Sequence, residues 1–171
     1  ILVFDDLKSF KPNKVFVGGK LVVSNGQIIT SIKKQMISPW IKKTVKLKNF
    51  SKNDFEIKSK KKDVTANTIY MQTEIITKLG SAELHAKDGH VSASVDSDIW
   101  KVAAFDRIHG TGKHSIGFLE NFGADIGAFA STWSFHENDM IVIGSNDSDM
   151  AIASNHLIKN QGGLVVVKSG K

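Results

Sequence analysis

The sequence predicts an α+β fold, a mixed or antiparallel sheet with packed helices, preceded by a small β-strand segment at the N-terminus. Three observations carry this reading. Residues 145–163, "SNDSDMAIASNHLIKNQGG", have the clearest helical grammar in the chain and lie between the strand-like stretches "MIVIG" and "LVVV". Residues 63–105 bring β-branched and apolar residues in short runs separated by turn signals. Residues 1–26 are short apolar runs cut by Gly-Gly and Asn-Gly. A helix flanked by strands, after several hairpins, is the pattern of segregated α+β domains.

In the N-terminal segment, apolar runs at 1–4 and 15–17 are joined by a polar link containing Pro12. Gly18-Gly19 then permits a tight reversal into residues 20–23, and Asn25-Gly26 gives another turn. A meander of this size needs a partner sheet or helix. Residues 27–62 lack a clear period. Pro39 ends any helix before it, and the stretch reads as a connecting arm with one or two short elements. Regularity returns at Asp63, with strand-like runs at 65–72 and 73–79, a hairpin turn at Asp88-Gly89 and half-buried alternation at 90–95. "WKVAAF", residues 100–105, has the composition of a buried central strand. Ser145, Asn146 and Asp147 are candidate N-caps, acids follow in the first turn, and Gly162-Gly163 supplies the stop. The expected division is strands at 1–26, a lysine-rich arm at 27–62 and an α+β domain at 63–171.

Composition narrows the function. A chain of 171 residues that is 41% hydrophobic and 23% charged can bury the core of one domain, or of one domain and a small appendage. Its net charge of +6 is concentrated: eleven lysines fall between Lys33 and Lys62, and the chain has a single arginine, Arg107. Arginine is the usual fork for phosphates and bases, so the run reads as a solvated lysine face and no nucleic-acid partner is expected. Zero cysteines exclude disulfides, thiolate zinc sites and thiol nucleophiles. Any hydrolytic chemistry must use His, Asp, Glu, Ser or a metal that they hold. No apolar run of membrane-spanning length occurs, so no membrane partner is expected and the chain reads as soluble and cytoplasmic. It begins with Ile1 in the middle of a strand-like run, which reads as a piece of something longer.

The residues from 99 to 170 resemble a family. "KVAAF", "DRIHGTG", "GFLENFG", "GAFAS", "VIG", "NDSDMA" and "GGLVVV" follow one another in the order of the C-terminal domain of microbial adenine deaminases, members of the amidohydrolase superfamily. The opening "VFDDLKSFKPNKVFVGGKLV" is similar to the stretch that leaves the catalytic barrel of those enzymes and completes a small β-sandwich. The resemblance thins in the lysine-rich arm. It implies hydrolytic deamination of adenine to hypoxanthine and ammonia by a metal-activated water in a (β/α)8 barrel. The divalent transition metal, manganese or iron, would belong to that missing barrel and no cofactor to this chain, which has no H-x-H motif. The implied partners are a purine base as substrate, the missing amidohydrolase barrel and a second copy of the chain in a homo-oligomer.

Two clusters could reach such a site. In "DRIHGTGKH", residues 106–114, Asp106, Arg107, His109, Thr111 and Gly112 match the family's E-R-x-H-x-T-G with one conservative change. Arg107 and His109 are the substrate-binding candidates, and the plainer reading pairs Arg107 with Asp106 or Asp125. The second cluster is "FHEND". Aligned without gaps, the family's H-D-S-H-N falls on Phe135, His136, Glu137, Asn138 and Asp139 with no identity, although a histidine, an amide and two acids are kept in another order. The resemblance makes His136 and Glu137 the catalytic candidates, with Asn138 and Asp139 binding substrate. The plainer reading is a turn between two strands, and the two are compatible. The competing reading of the whole chain is a non-catalytic oligomerisation or domain-packing module of an amidohydrolase with a different substrate. A lysine-rich polyanion binder is a third.

Overall fold

A computed structural model describes residues 1–134 and 138–171. The chain divides into two compact units, Ile1–Ser38 and Pro39–Lys171. The first is a four-stranded antiparallel meander of β1 (Leu2–Val3), β2 (Lys14–Val17), β3 (Lys20–Ser24) and β4 (Gln27–Ile28), paired in that order. Its β1–β2 link is shaped by two acids. Asp6 accepts the backbone N–H groups of Lys8 and Ser9, both at 2.7 Å, and Asn13 donates its amide to Asp5. The strands are short; Val15, Phe16, Val22 and Val23 are half-buried, while Leu2, Val17 and Ile28 stay exposed.

The second unit is built on a nine-stranded mixed sheet. Its strands are β5 (Ile57–Lys58), β6 (Asp63–Met71), β7 (Thr77–Lys87), β8 (His90–Val91), β9 (Ile99–Phe105), β10 (His114–Glu120), β11 (Ala128–Ser131), β12 (Met140–Gly144) and β13 (Leu164–Val167). Their spatial order is β13-β11-β12-β9-β10-β6-β7-β8-β5, so β9 lies inside the sheet as its apolar composition predicts. Only the β10–β6 pair is parallel among these described strands. The two strand-like runs at 65–72 and 73–79 form one long hairpin. Its tip closes where the Thr73 hydroxyl accepts the N–H of Ile76 and the Gln72 N–H reaches the Ile76 carbonyl, so β7 starts at Thr77.

Helix α1 (Asp147–Asn160) packs on one face of the sheet over β11, β12 and β13. Asn146 caps it, its side-chain oxygen accepting the Asp149 N–H at 2.8 Å. Two glycines set the closeness of this packing. A Cβ on Gly144 would lie 2.2 Å from Met150 Cγ, and one on Gly127 would overlap the buried Asp149 carboxylate. The expected stop lies one residue earlier than Gly162: Gln161 takes the left-handed cap at φ 60. Its carboxamide offsets that conformation by donating to Ile158 and Val45 carbonyls and accepting the Val45 N–H.

The arm divides between the units. Up to Ser38 it belongs with the meander; from Pro39 it belongs with the α+β unit, through single 3-10 turns at Pro39–Lys42 and Lys52–Phe55. Phe55 is fully buried and forms an aromatic cluster with Phe50 and Phe105, with centroids 4.5–5.6 Å apart. The arm and α1 therefore cover the same face of the sheet. Among the described residues of this unit no α-helix covers the opposite face, and Ile69 and Leu79 are exposed there.

Candidate functional site

Strands β12, β9 and β10 end side by side. Met140 pairs with Phe105 and Phe105 with His114. One residue further out, this register places Asp139, Asp106 and Lys113 in a row, and Asp106 N–H donates to the Lys113 carbonyl at 3.0 Å. Because strand side chains alternate, Ala104, Asp106, Lys113, Ser115 and Asp139 share the helix-free side and line a cleft of about 450 Å³.

Asp106 organises the loop at 106–113. One carboxylate oxygen accepts the N–H of His109 at 3.1 Å and its ring Nδ1 at 2.9 Å; the other accepts the Thr111 hydroxyl at 2.6 Å. The Thr111 hydroxyl first, then the His109 backbone N–H, hold the Asp106 carboxyl well below the usual carboxylate range, against the opposing effect of burial. A carboxylate can only accept here, so Nδ1 of His109 carries a proton and donates it to Asp106. The imidazole is 75% exposed. The chemistry on offer is a solvent-facing imidazole oriented by Asp106, whose carboxylate lines the same cleft as Asp139 and Lys113.

Arg107 faces the other way. It pairs with neither Asp106 nor Asp125: its guanidinium donates to the Thr44 hydroxyl at 2.9 Å and, at 3.5 Å, towards the Thr132 carbonyl, while Asp125 is paired with Lys168. Its backbone carbonyl accepts the Lys46 N–H. Adjacent residues of an extended chain point to opposite sides, so Arg107 braces the arm while Asp106 faces the cleft. Of the predicted substrate-binding residues, Asp139 lines the cleft and His109 hangs on Asp106. Asn138 is exposed with φ 55, a turn conformation that asparagine tolerates. The catalytic candidates His136 and Glu137 lie outside the described residues. Sequence reasoning passed over Lys113, His114 and Ser115, although alternation outward from the β9–β10 turn puts Lys113 and Ser115 beside Asp106. Among the described residues no group of three or more His, Asp or Glu side chains is placed to hold a metal ion, so these residues do not supply a metal site.

A family model described as "Adenine deaminase C-terminal domain" matches residues 74–171. The chain is 51% identical over 166 residues to an adenine deaminase of Cenarchaeum symbiosum, covering 97% of this chain and 27% of that protein. It is 37% identical over 174 residues to one of Clostridium botulinum, covering 100% of this chain and 29% of the relative. An adenine deaminase of Kosmotoga olearia is 32% identical over 170 residues. The chain thus spans well under a third of the length of these relatives and corresponds to their C-terminal part.

Proposed function

The chain belongs to the adenine deaminase C-terminal domain family, and on that premise we propose that it is the C-terminal part of a hydrolase converting adenine and water to hypoxanthine and ammonia. The barrel and its manganese or iron ion are proposed for the rest of the full-length protein, since this chain covers 27–29% of the relatives' length. The part proposed for this chain is to close the purine site with a polar strand end: Asp106, His109, Asn138 and Asp139, together with His136 and Glu137 of the same β11–β12 connection. The observation that carries the reading is that Asp106, which lines one cleft with Asp139, also anchors the His109 ring at the strand end. His109 and His136 are the groups that would exchange a proton with a purine nitrogen. Arg107 enters as a brace for the loop. The meander of residues 1–26 fits the role of strands completing a small β-sandwich, and its exposed apolar residues support self-association.

Replacing His109 or His136 by Ala in the full-length protein tests this. Turnover of adenine should fall roughly a hundredfold, the scale of a lost acid–base group, with an unchanged melting temperature. Unchanged turnover in both variants, or a fall only in step with stability, overturns it. One observation favours the second reading, a packing module. The helix-free face has an apolar groove of about 310 Å³ lined by Ile69, Leu79, Val102 and Ala104, and Leu79 is 79% exposed. If only Leu79→Asp lowers turnover, and does so by destabilising the full-length protein, the chain serves packing.

A further inference from the structure

The lysine-rich arm forms one wall of a second cavity, on the helix-bearing side of the sheet. Between Val45 and Lys48 the arm alternates. Val45 is buried and Leu47 half-buried against the core, while Lys46 and Lys48 both project outward. Beside them lies a groove of about 780 Å³, within the range of small-molecule sites. Its floor is apolar and aromatic: Leu47, Phe50, Phe105 and Ile116. The His114 ring lies nearly parallel to Phe105, at 5.5 Å and 23°, and is itself exposed, so it offers an outward aromatic face. Gly110 packs against the arm, a Cβ there lying 3.5 Å from the Lys46 carbonyl oxygen.

The charges in this groove do not cancel. Asp54 accepts both the N–H and the hydroxyl of Ser51. Glu56 has Lys58 at 3.8 Å and His90 at 3.5 Å. Lys46 and Lys48 have no carboxylate within ion-pair distance among the described residues. Lys46, Lys48 and Lys58 outnumber Asp54 and Glu56 around the groove; two ammonium groups two residues apart and outside any ion pair among the described residues suit a phosphate as point charges, and the ring shelf suits a flat heterocycle. The Asn49 and Asn53 carboxamides add polar groups that can fix orientation. We propose that this groove binds a flat-ringed anion of the nucleoside monophosphate class, with its phosphate on Lys46 and Lys48 and its base against His114.

Guanosine 5′-monophosphate is a suitable probe, because its ring lacks the 6-amino group that a deaminase would remove. Calorimetric titration of the full-length protein should give saturable binding that weakens with added salt. Lys46→Ala/Lys48→Ala, and separately His114→Ala, should each weaken it about tenfold or more, a difference of about 1.4 kcal/mol. Guanosine and inorganic phosphate, tested alone, should each bind at least about tenfold more weakly. In mass spectrometry after acetic anhydride treatment, the nucleotide should protect Lys46 and Lys48 while leaving Lys168 modified. Absence of binding, equal binding by the variants, or phosphate binding as tightly as the nucleotide would overturn the proposal. So would a single-stranded oligonucleotide that binds far more tightly than the mononucleotide, since the lysines would then belong to a nucleic-acid track.

Discussion

Asp106 and Lys101 use their charges in opposite settings. Asp106, at the cleft, is held ionised by the Thr111 hydroxyl and the His109 N–H. Its folded pKa lies below the unfolded value of 3.8, so the stability it adds to the loop is complete above that pH and is lost as pH falls towards the lower folded value. Amide exchange of the 106–113 loop should therefore be unaffected by this group above about pH 5 and accelerate below about 3.8. Asp106→Asn should remove that acid limb and loosen the loop at neutral pH; an identical acid profile in the variant would contradict the assignment. Lys101 is buried, its side chain 3% exposed, and its ammonium donates to the Phe55 carbonyl at 2.9 Å and to Asp147 at 2.7 Å. It ties the arm to the first turn of α1. Lys101→Met leaves both partners without a donor and should cost about 3 kcal/mol in urea unfolding, with part recovered on adding Asp147→Asn. Full stability in the single variant would show the tie to be dispensable.

At the level of elements, α1 holds the arm with two carboxamides. Asn155 accepts the Phe50 N–H at 2.8 Å and donates to its carbonyl at 2.9 Å; Gln161 does the same for Val45, both at 3.2 Å. The helix thus supplies side chains where a neighbouring strand would supply backbone. At about 1 kcal/mol for each hydrogen bond, releasing both clamps should raise local opening of the arm by more than tenfold. The exposed lysines report this directly. Tryptic cleavage after Lys46 and Lys48 should quicken tenfold or more in Asn155→Ala/Gln161→Ala and less in either single variant. Unchanged cleavage would mean that the Phe50–Phe55–Phe105 cluster alone fixes the arm.

For the molecule as a whole, the expectation is incompleteness. The described residues place no three-residue metal cluster, and the relatives are more than three times as long as the matched region. The 171-residue chain alone should release no ammonia from adenine above a buffer control and retain no transition metal after desalting. Chelator-sensitive release would refute this. The exposed apolar strands of the first unit should also drive self-association, because unpaired strand edges find further strands. Light scattering at high concentration should give a mass above that of one chain, falling on deletion of residues 1–24. A monomer unchanged by the deletion would count against it.

The sequence by itself determined the α+β class, the buried β9, a helix start among Ser145, Asn146 and Asp147, and the small separate sheet. These follow from neighbours in the chain: alternation sets a strand's buried side, an Asn side chain reaches the N–H three residues on, and Gly-Gly reverses the backbone. The order of motifs from "KVAAF" to "GGLVVV" carried the family for the same reason. Tertiary structure decided the rest. The family match made Arg107 a substrate-binding candidate, but not which side it faces: the strand alternation that sends Asp106 to the cleft sends Arg107 towards Thr44, 63 residues earlier. The lysine run read only as a connecting arm with one or two short elements, because what orders it are partners 105 and 116 residues away, on α1 and at its C-cap. Gln161 takes the left-handed position forecast for glycine because its carboxamide also holds Val45. Local periodicity records only which side of an element is apolar, whereas these placements depend on contacts that exist only once the elements have met.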